Sequence, residues 1–268
     1  MKKFLLIFAS AIILVSCQQS KQEKVNDFLD AINCFDKEKS NQILAANFTY
    51  YGKDTLNKSE YLTRMDSLKN VEYKSTILNI QDLDSIVKTE EKVTSIIDSL
   101  LEVTPNIIQK KTYRFSDDKL KSITVDTTLN YEEYMKSLNE KIIPFAFYVQ
   151  DQHDIQDEKE TFKNIKKYLT EYVTLPVSDR KKYRIYSSLQ GTYISKSSLY
   201  RKLIFRGKKT VTVVDAFFGF PFATSYELDE NYIRIRTDKS DLLLEVKDSK
   251  TLVGEGFAAG TFIKSNEK

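Results

Sequence analysis

Cys17 is the side chain whose type and surroundings point most directly to chemistry. It comes directly after Phe4–Val15, an apolar segment of twelve residues that follows Lys2 and Lys3. A segment of this length with a basic start is typical of a signal-peptide core, and it is shorter than the about 20 residues that a transmembrane helix needs. The start of the chain therefore predicts export, and a plain membrane anchor is the weaker alternative.

The four residues Leu14-Val15-Ser16-Cys17 resemble the lipobox of bacterial lipoproteins at each position. The resemblance implies that residues 1–16 are a signal peptide cleaved before Cys17, and that the Cys17 sulfur carries diacylglycerol. It usually implies an acylated amine as well, and two or more chains give stable anchoring. Residue 18 is Gln rather than Asp, which implies an outer-membrane destination in a host that has one. An ordinary cleaved secretory signal is the alternative.

The chain after Cys17 has the composition of a protein body that sits in water. The full sequence of 268 residues is 41% hydrophobic and 29% charged, which is ordinary for globular domains. Once Cys17 is lipidated, Cys34 is the only thiol left, so no disulfide framework is expected. We expect a short polar tether, residues 17–22, followed by one or two folded domains.

Residues 23–127 begin with helical periodicity and a small hairpin. Apolar residues three and four apart predict a first helix and a second helical stretch. A hairpin with its turn near Gly52 follows, and Ser59 is the predicted cap of a third helix. The apolar positions behind these predictions are Val25, Phe28, Leu29, Ile32 and Phe35, then Ile43, Leu44 and Phe48, then Leu62, Met65 and Leu68.

From Val71 the pattern changes to that of an antiparallel sheet. A polar turn, Ser116-Asp117-Asp118-Lys119, separates the last two strands. The predicted strands are Val71–Ile80, Ser85–Thr89, Lys92–Val103, Asn106–Phe115 and Lys119–Val125.

This order of elements, together with Phe48–Leu56 and Ser59-Glu60, resembles the nuclear-transport-factor-2-like (NTF2-like, SnoaL-like) fold. The resemblance implies an α+β domain with helices packed on a curved antiparallel sheet around a conical pocket. Members use such a pocket for isomerase, cyclase or dehydratase chemistry, for ligand binding, or only as an interface.

An enzyme of that family would place an Asp or His base with Tyr or Asp donors in the pocket, where an apolar wall raises a carboxyl pKa. No histidine precedes His153, so a His base is excluded from this domain. None of the available residues falls in a motif of the family, so no catalytic residue is assigned and packing or solvation is the favoured role. These residues are Tyr50, Tyr51, Asp66, Tyr73 and Asp98.

Residues 128–185 are predicted to be a largely helical connector. A short helix is expected over Tyr131–Glu140, and the apolar run Ile142–Val149 is expected to pack between domains or to add a strand. A further amphipathic helix around Phe162–Tyr172 should end before Pro176. His153, in the stretch 151–154, is expected in a surface loop rather than at a metal, because a metal needs several ligands in fixed geometry.

Residues 186–268 show short β runs at close spacing, separated by turn residues. Eight such runs predict an antiparallel meander closed, or nearly closed, into a small barrel whose interior side chains can fill. The opening Leu189–Tyr193 and the closing Gly260–Lys264 are similar to those of lipocalin-like barrels. The predicted strands are Gly191–Ser195, Leu199–Phe205, Thr210–Phe217, Ala223–Leu228, Tyr232–Arg236, Leu242–Val246, Thr251–Val253 and Phe257–Ile263.

Two features of this part of the chain suggest contacts. Residues 180–209 contain ten Lys or Arg and no acid. In an exported protein this favours anionic lipid or glycan over nucleic acid, although a solvated face of strands is the simpler interpretation. The second feature is an aromatic cluster that either fills a core or forms a mouth for an apolar ligand or partner: Phe217, Phe218, Phe220 and Phe222.

The leading hypothesis is a lipid-anchored cell-envelope protein that acts as a non-enzymatic binding or interaction module. No nucleophile elbow, P-loop, dinucleotide fingerprint or metal cluster is present in the sequence, and no cofactor or metal is predicted. The rival hypothesis is an isomerase, cyclase or hydrolase that uses Asp and Tyr of residues 23–127. A third is a structural part of an envelope assembly, with Phe217–Phe222 as its protein contact.

Overall fold

The computed structural model describes residues 19–153, 158–237 and 240–265. The predicted signal peptide with the lipobox, Cys17 itself, Asp154 and the turn residues Asp238 and Lys239 lie outside the described residues. The chain divides into two units, one made of residues up to Ile96 with Pro105–Tyr131, and one made of Ile97–Thr104 with Glu132–Lys268. Helices with a sheet in the first unit and a β-barrel in the second confirm the α+β class.

The first unit contains three helices, α1 (Lys21–Asn33), α2 (Lys37–Ile43) and α3 (Lys58–Asn70). The Ser20 side chain caps α1 by accepting a hydrogen bond from the Glu23 backbone N–H, and the Glu23 carboxylate accepts one from the Ser20 backbone N–H. The helix therefore starts before residue 23. A second capping box places the start of α3 at Asn57 and Glu60. The prediction of Ser59 as the cap was therefore wrong, because Asn57 has the complementary Glu three residues later.

Six strands form the sheet of this unit: β1 (Leu44–Tyr51), β2 (Thr55–Asn57), β3 (Lys74–Leu83), β4 (Ile86–Thr94), β5 (Ile107–Ser116) and β6 (Lys119–Leu129). Their order is β2-β1-β6-β5-β4-β3. Strands β1 and β6 pair in parallel, so the sheet is mixed rather than wholly antiparallel. The predicted hairpin after Phe48 is confirmed as β1–β2. The predicted turn between β5 and β6 is also confirmed, with Asp117 and Asp118 at positive φ.

Two predictions in this part of the chain were wrong. Leu44 and Phe48 were assigned to a helix but are the buried positions of β1, because a spacing of four residues satisfies both helical and strand periods. The predicted strand Lys92–Val103 is instead the end of β4 followed by a short helix, α4 (Ile96–Leu100). Strand β4 is continuous from Ile86 to Thr94, across the predicted break after Thr89.

The second unit begins with helices. The apolar run Ile142–Val149, predicted to pack between domains or to add a strand, belongs to α5 (Tyr131–His153), where Phe145, Tyr148 and Val149 share the buried face. Helices α6 (Glu158–Lys163), α7 (Ile165–Thr174) and α8 (Val177–Leu189) follow. Helix α8 was not predicted, and it continues three residues beyond the expected start of the barrel at residue 186.

The barrel consists of eight antiparallel strands, as predicted. They are β7 (Gly191–Ile194), β8 (Tyr200–Arg206), β9 (Thr210–Asp215), β10 (Pro221–Asp229), β11 (Tyr232–Ile235), β12 (Leu242–Val246), β13 (Thr251–Glu255) and β14 (Gly260–Lys264). Consecutive strands pair with each other, and β14 closes the barrel on β7. Within the described part of the chain, no helix combines the length and apolar character needed to cross a membrane.

Candidate functional site

The sheet of the first unit holds a buried carboxylate, Glu91, whose exposed fraction is 0%. One of its oxygens accepts hydrogen bonds from the Ser75 hydroxyl and the Lys111 ammonium, both at 2.6 Å. The other oxygen accepts from the hydroxyls of Thr89 and Tyr113, both at 2.5 Å. Four donors therefore surround a single charged group inside the protein.

Alternation along neighbouring strands brings these five residues together. Thr89 and Glu91 are two apart on β4, so both point to the inner face, as do Lys111 and Tyr113 on β5. Thr89 pairs directly with Lys111 across the two strands. On β3, the backbone of Ser75 exchanges two hydrogen bonds with the Asn33 side chain at the end of α1, which fixes the position of the Ser75 hydroxyl.

The electrostatics of this cluster stabilise the charged pair. Burial alone would raise the pKa of Glu91, but the Lys111 charge and the hydrogen bonds from Lys111, Ser75 and Thr89 hold this pKa below its ordinary value. Burial alone would lower the pKa of Lys111, whereas Tyr73 and Glu91 raise it above its ordinary value. Burial and then Glu91 raise the pKa of Tyr113. Glu91 and Lys111 therefore form an ion pair, and the Tyr113 phenol beside them is neutral. None of the three side chains changes its protonation near neutral pH.

The aromatic side chains beside this cluster pack against one another. Tyr61 lies between Phe48 and Tyr50, with ring centroids 5.4 and 5.3 Å away. Phe28 contacts both Tyr61 and Tyr113. Burial raises the pKa of Tyr50 and of Tyr61, so both remain protonated phenols. The inner face of the sheet is thus a packed core with a satisfied ion pair in it.

The five Asp and Tyr residues that the sequence offers as acids or donors do not lie at one site in the structure. Tyr50 and Tyr73 lie at the buried cluster, packed on the core. Tyr51 is exposed, and Asp66 forms an exposed ion pair with Lys37 at 2.7 Å. Asp98 is buried, accepts a hydrogen bond from Tyr134 at 2.8 Å, and belongs to the second unit.

Sequence reasoning missed Glu91 and Lys111, although a signal for both was present. Val87, Thr89 and Glu91 alternate on one strand, and Lys111, Tyr113 and Phe115 alternate on the next. An opposite charge at an inward position of each strand indicates a buried pair. The wrong break after Thr89 placed Glu91 in a turn and hid this pattern.

Two further side chains from the sequence analysis, His153 and Cys34, lie outside this cluster. His153 ends α5 instead of lying in a surface loop, with its ring 4.2 Å from that of Tyr168 and Nε2 2.9 Å from the Glu171 carboxylate. Cys34 is a free, exposed thiol at the end of α1. Among residues 19–153, 158–237 and 240–265, no group of three or more His, Cys, Asp or Glu is arranged to hold a metal ion.

The barrel interior is filled by side chains. Phe205 sits between Tyr193 and Tyr226, with perpendicular rings whose centroids are 5.7 and 5.1 Å apart. Gly254 has no room for a side chain, because a Cβ there would lie 2.0 Å from the carbonyl oxygen of Ala258. The inward residues, all at most 1% exposed, also include Leu203, Val211, Val213, Ile233, Ile235, Leu242, Leu244, Leu252 and Phe262.

Helix α8 contacts one end of the barrel. The Tyr186 ring contacts that of Tyr226, and the ammonium of Lys264 donates to the backbone carbonyl of Ser188. At this same end, Lys208 of the β8–β9 turn forms an ion pair with Asp151 of α5. The connections β7–β8, β9–β10 and β13–β14 lie at the other end, since strand direction alternates around the barrel.

That other end carries exposed apolar side chains, and we call it the aromatic end: Leu199, Phe217, Phe218, Phe220 and Phe257. Phe217, Phe218 and Phe220 are 76%, 80% and 68% exposed, so the interpretation that this cluster fills a core was wrong. Phe222, at 37%, lies on β10 directly opposite the buried Val213 of β9. The three connections touch, since Ala216 N donates to Leu199 O at 2.9 Å and the Ser198 hydroxyl donates to Ala258 O at 3.2 Å.

Asp215 fixes the shape of the loop that carries the phenylalanines. Its carboxylate accepts hydrogen bonds from the backbone N–H of Phe217, Phe218 and Phe220, at 2.9, 2.6 and 2.8 Å. Gly219 supplies the positive φ of 70° that lets the chain turn within this span. The rings of Phe218 and Phe220 stack at 5.9 Å. The loop therefore presents its phenylalanines in an ordered arrangement rather than on a loose segment.

We expect Asp215→Ala to loosen this loop without unfolding the barrel. The amides of Phe217, Phe218 and Phe220 should then exchange with solvent at least about tenfold faster, because each loses its acceptor. Their hydrogen bonds, that of Phe218 foremost, hold the pKa of Asp215 below its ordinary value. The stabilisation of the loop by Asp215 is thus complete above the ordinary pKa of an Asp and is lost as the pH falls through the pKa of Asp215 in the folded protein. Amide exchange by NMR measures the effect, with Asp229→Ala at the opposite end of β10 as the control.

The basic stretch 180–209 is not one surface. Its first four cations lie on α8, and Arg206, Lys208 and Lys209 lie at the end of the barrel that α8 contacts. Lys196 and Arg201 lie at the aromatic end, in the β7–β8 connection and at the start of β8, and both are exposed. The simple picture of one solvated face of strands was therefore incomplete.

Comparisons with known proteins concern the first unit and its fold alone. A scan against protein-family models and a search of curated proteins gave no match. The chain is similar to an NTF2-like protein of unknown function from Cytophaga hutchinsonii, with 15% identity over 42% of this chain and 93% of that one, at a TM-score of 0.35.

Two further solved structures are similar at this level. One is a candidate polyketide cyclase from Streptomyces antibioticus, with 11% identity over 45% of this chain and 99% of that one. The other is a protein of ketosteroid isomerase-like fold from Catenulispora acidiphila in complex with trimethylamine, with 13% identity over 45% of this chain and 95% of that one. Both have a TM-score of 0.38. At such scores the similarities carry no argument about activity.

Proposed function

We propose that this protein is a lipid-anchored component of the bacterial cell envelope that acts as an interaction module, with the aromatic end of its barrel as the contact surface. The observation that carries the proposal is the ordered display of Phe217, Phe218 and Phe220, each more than two thirds exposed on a loop fixed by Asp215. Exposed apolar clusters of this kind mark sites of association, because leaving them in water is unfavourable.

The filled barrel supports contact by its surface rather than capture of a ligand inside. Tyr193, Phe205 and Tyr226 occupy the interior that a small apolar molecule would need. A binding role for this unit therefore concerns its exposed end.

A catalytic role for the first unit has one feature in its favour, the buried Glu91–Lys111 pair with Tyr113. General acid–base chemistry needs a group that can reach a substrate and change its protonation. The carboxylate of Glu91 is fully buried and accepts four hydrogen bonds, and the raised pKa of Tyr113 keeps its phenol neutral. The geometry favours a structural role for the pair, so we do not assign an enzymatic activity.

Attachment through Cys17 is the part of the proposal that follows from the resemblance to lipoproteins. We expect the protein expressed in a bacterial host to incorporate a palmitate analogue and to partition into the detergent phase of a Triton X-114 extraction. Cys17→Ser should abolish both, because no other thiol follows the apolar segment directly.

Cys34→Ser is the matched control, since it removes the only other thiol, which is exposed and free in the structure. Retention of the label in Cys17→Ser, or its loss in Cys34→Ser, would contradict anchoring at Cys17. A cleaved but unlabelled protein in the aqueous phase would point to an ordinary secretory signal instead.

A further inference from the structure

We propose that the aromatic end of the barrel inserts into the interfacial layer of an anionic lipid bilayer, with the phenylalanines of the β9–β10 loop among the acyl chains and Lys196 and Arg201 at the lipid phosphates. This inference names the partner of the contact surface, and it rests on the proposed function for the compartment in which that partner is met.

The form of the aromatic end fits a bilayer. Phe217, Phe218 and Phe220 stand out from the loop, and together they expose on the order of 400 Å². A rigid protein partner must offer a cavity of matching shape to bury such rings, whereas lipid chains rearrange around them. The loop is held by Asp215, so little conformational entropy is lost on insertion.

The charges beside the phenylalanines fit the surface of an anionic bilayer. The β7–β8 connection contacts the β9–β10 loop through Leu199 and contains Lys196 but no acid. Arg201, two residues after Leu199, is also exposed. Long cationic side chains can reach phosphates while the neighbouring apolar groups go deeper. The nearest acid, Asp215, directs its carboxylate to three backbone N–H groups of its own loop.

Among the residues that the structure describes, the acids at this end favour a tilted approach. Asp241 precedes β12, 3.9 Å from Arg234, and Glu255 ends β13. Both belong to the side of the barrel that carries neither the β9–β10 loop nor Lys196. The side formed by β7 to β10 would therefore face the lipid, since it combines the apolar rings with the cations.

The absence of tryptophan from the sequence allows a direct test of depth. Phe218→Trp introduces a single tryptophan at the aromatic end, and Tyr232→Trp introduces one at the start of β11, at the opposite end of the barrel. The chain from residue 17 with Cys17→Ser carries no lipid and keeps each described helix and strand. We expect brominated lipids in phosphatidylcholine–phosphatidylglycerol vesicles to quench the Trp at 218 and leave the one at 232 unchanged.

Vesicle co-sedimentation tests the apolar and charged contributions separately. Phe218→Ser with Phe220→Ser should weaken binding at least about tenfold, since both rings stay in water. Lys196→Gln with Arg201→Gln should weaken binding to anionic vesicles by about fivefold per charge at low salt, and hardly at all to phosphatidylcholine. The matched control, Arg206→Gln with Lys209→Gln, removes two cations of the same basic stretch at the other end and should leave binding unchanged.

Several outcomes would overturn the inference. They are failure of the unsubstituted chain to bind either kind of vesicle, equal quenching at residues 218 and 232, and binding that survives loss of both phenylalanines. Equal binding to both vesicle types would refute the anionic part alone. A concentration-dependent dimer in sedimentation velocity, abolished by the double Phe substitution, would assign the surface to a second copy of the chain. Because the test chain lacks lipid, these results are independent of labelling at Cys17.

Discussion

Lys111→Met is expected to lower the free energy of unfolding of the first unit by about 3–5 kcal/mol, because it leaves a buried carboxylate without its counter-charge. Glu91 has no exposed surface, and Lys111 is the only cation that donates to it among the described residues. Methionine keeps most of the length and apolar volume of the side chain, so the loss reports on charge. Urea denaturation monitored by circular dichroism measures it.

The same two strands provide a matched control. Lys110 and Glu90 form an ion pair at 2.9 Å, one residue away from the buried pair, but their side chains are 46% and 38% exposed. Lys110→Met should therefore cost no more than about 1 kcal/mol. Equal losses for the two lysines would contradict the structural role of the buried pair. Adding Glu91→Gln to Lys111→Met should restore part of the stability, because an amide is cheaper to bury than an unpaired carboxylate.

The stabilisation that the Glu91–Lys111 pair provides is lost at both low and high pH. The pKa of Glu91 is lowered from an ordinary value of 4.5, so its contribution is complete above that value and is lost as the pH falls through the folded pKa. The pKa of Lys111 is raised from 10.5, so its contribution is complete below that value and is lost as the pH rises through the folded pKa. Between these ordinary values the pair contributes in full.

Phe205→Ala should destabilise the barrel by about 3–5 kcal/mol, the usual cost of removing a large buried ring from a packed core. Phe205 is 1% exposed and contacts Tyr193 and Tyr226 edge-on. Urea unfolding, followed by hydrogen exchange of the β8 and β9 amides, assigns the loss to the barrel.

Phe218→Ala is the control, since it removes the same ring from a position that is 80% exposed. It should change stability by no more than about 0.5 kcal/mol. If Phe205→Ala were equally harmless, the barrel interior would not be the packed core described above, and a ligand cavity would have to be considered. If Phe218→Ala were strongly destabilising, the display of that ring to solvent would be contradicted.

Much of the fold could be predicted because it depends on local patterns. Val25, Phe28, Leu29 and Ile32 have a spacing that only a helix satisfies, and all four are buried in α1. The eight barrel strands followed from short alternating runs separated by turn residues. Predictions failed where one spacing fits two structures, as for Leu44 and Phe48, and where an apolar run was long enough for either a strand or a helix, as in Ile142–Val149.

The candidate sites could be predicted only in part. Phe217–Phe222 was recognised as a feature from composition, but the sequence did not distinguish a filled core from an exposed end. That choice depends on how many other side chains compete for the interior, and here Tyr193, Phe205 and Tyr226 occupy it. The buried pair of Glu91 and Lys111 was missed, because the partners lie twenty residues apart and only strand register brings them within 2.6 Å.

By itself, the sequence determined the α+β class, the helical start of the first unit and the eight strands of a closed or nearly closed barrel, because hydrophobic periodicity and turn residues act over a few neighbours along the chain. It also carries the lipobox-like stretch ending in Cys17, for which attachment stays a prediction. Only the tertiary structure decided that the four donors converge on Glu91, and that the barrel is filled at its centre and apolar at one end. These properties depend on contacts between residues far apart in sequence, which no local pattern specifies.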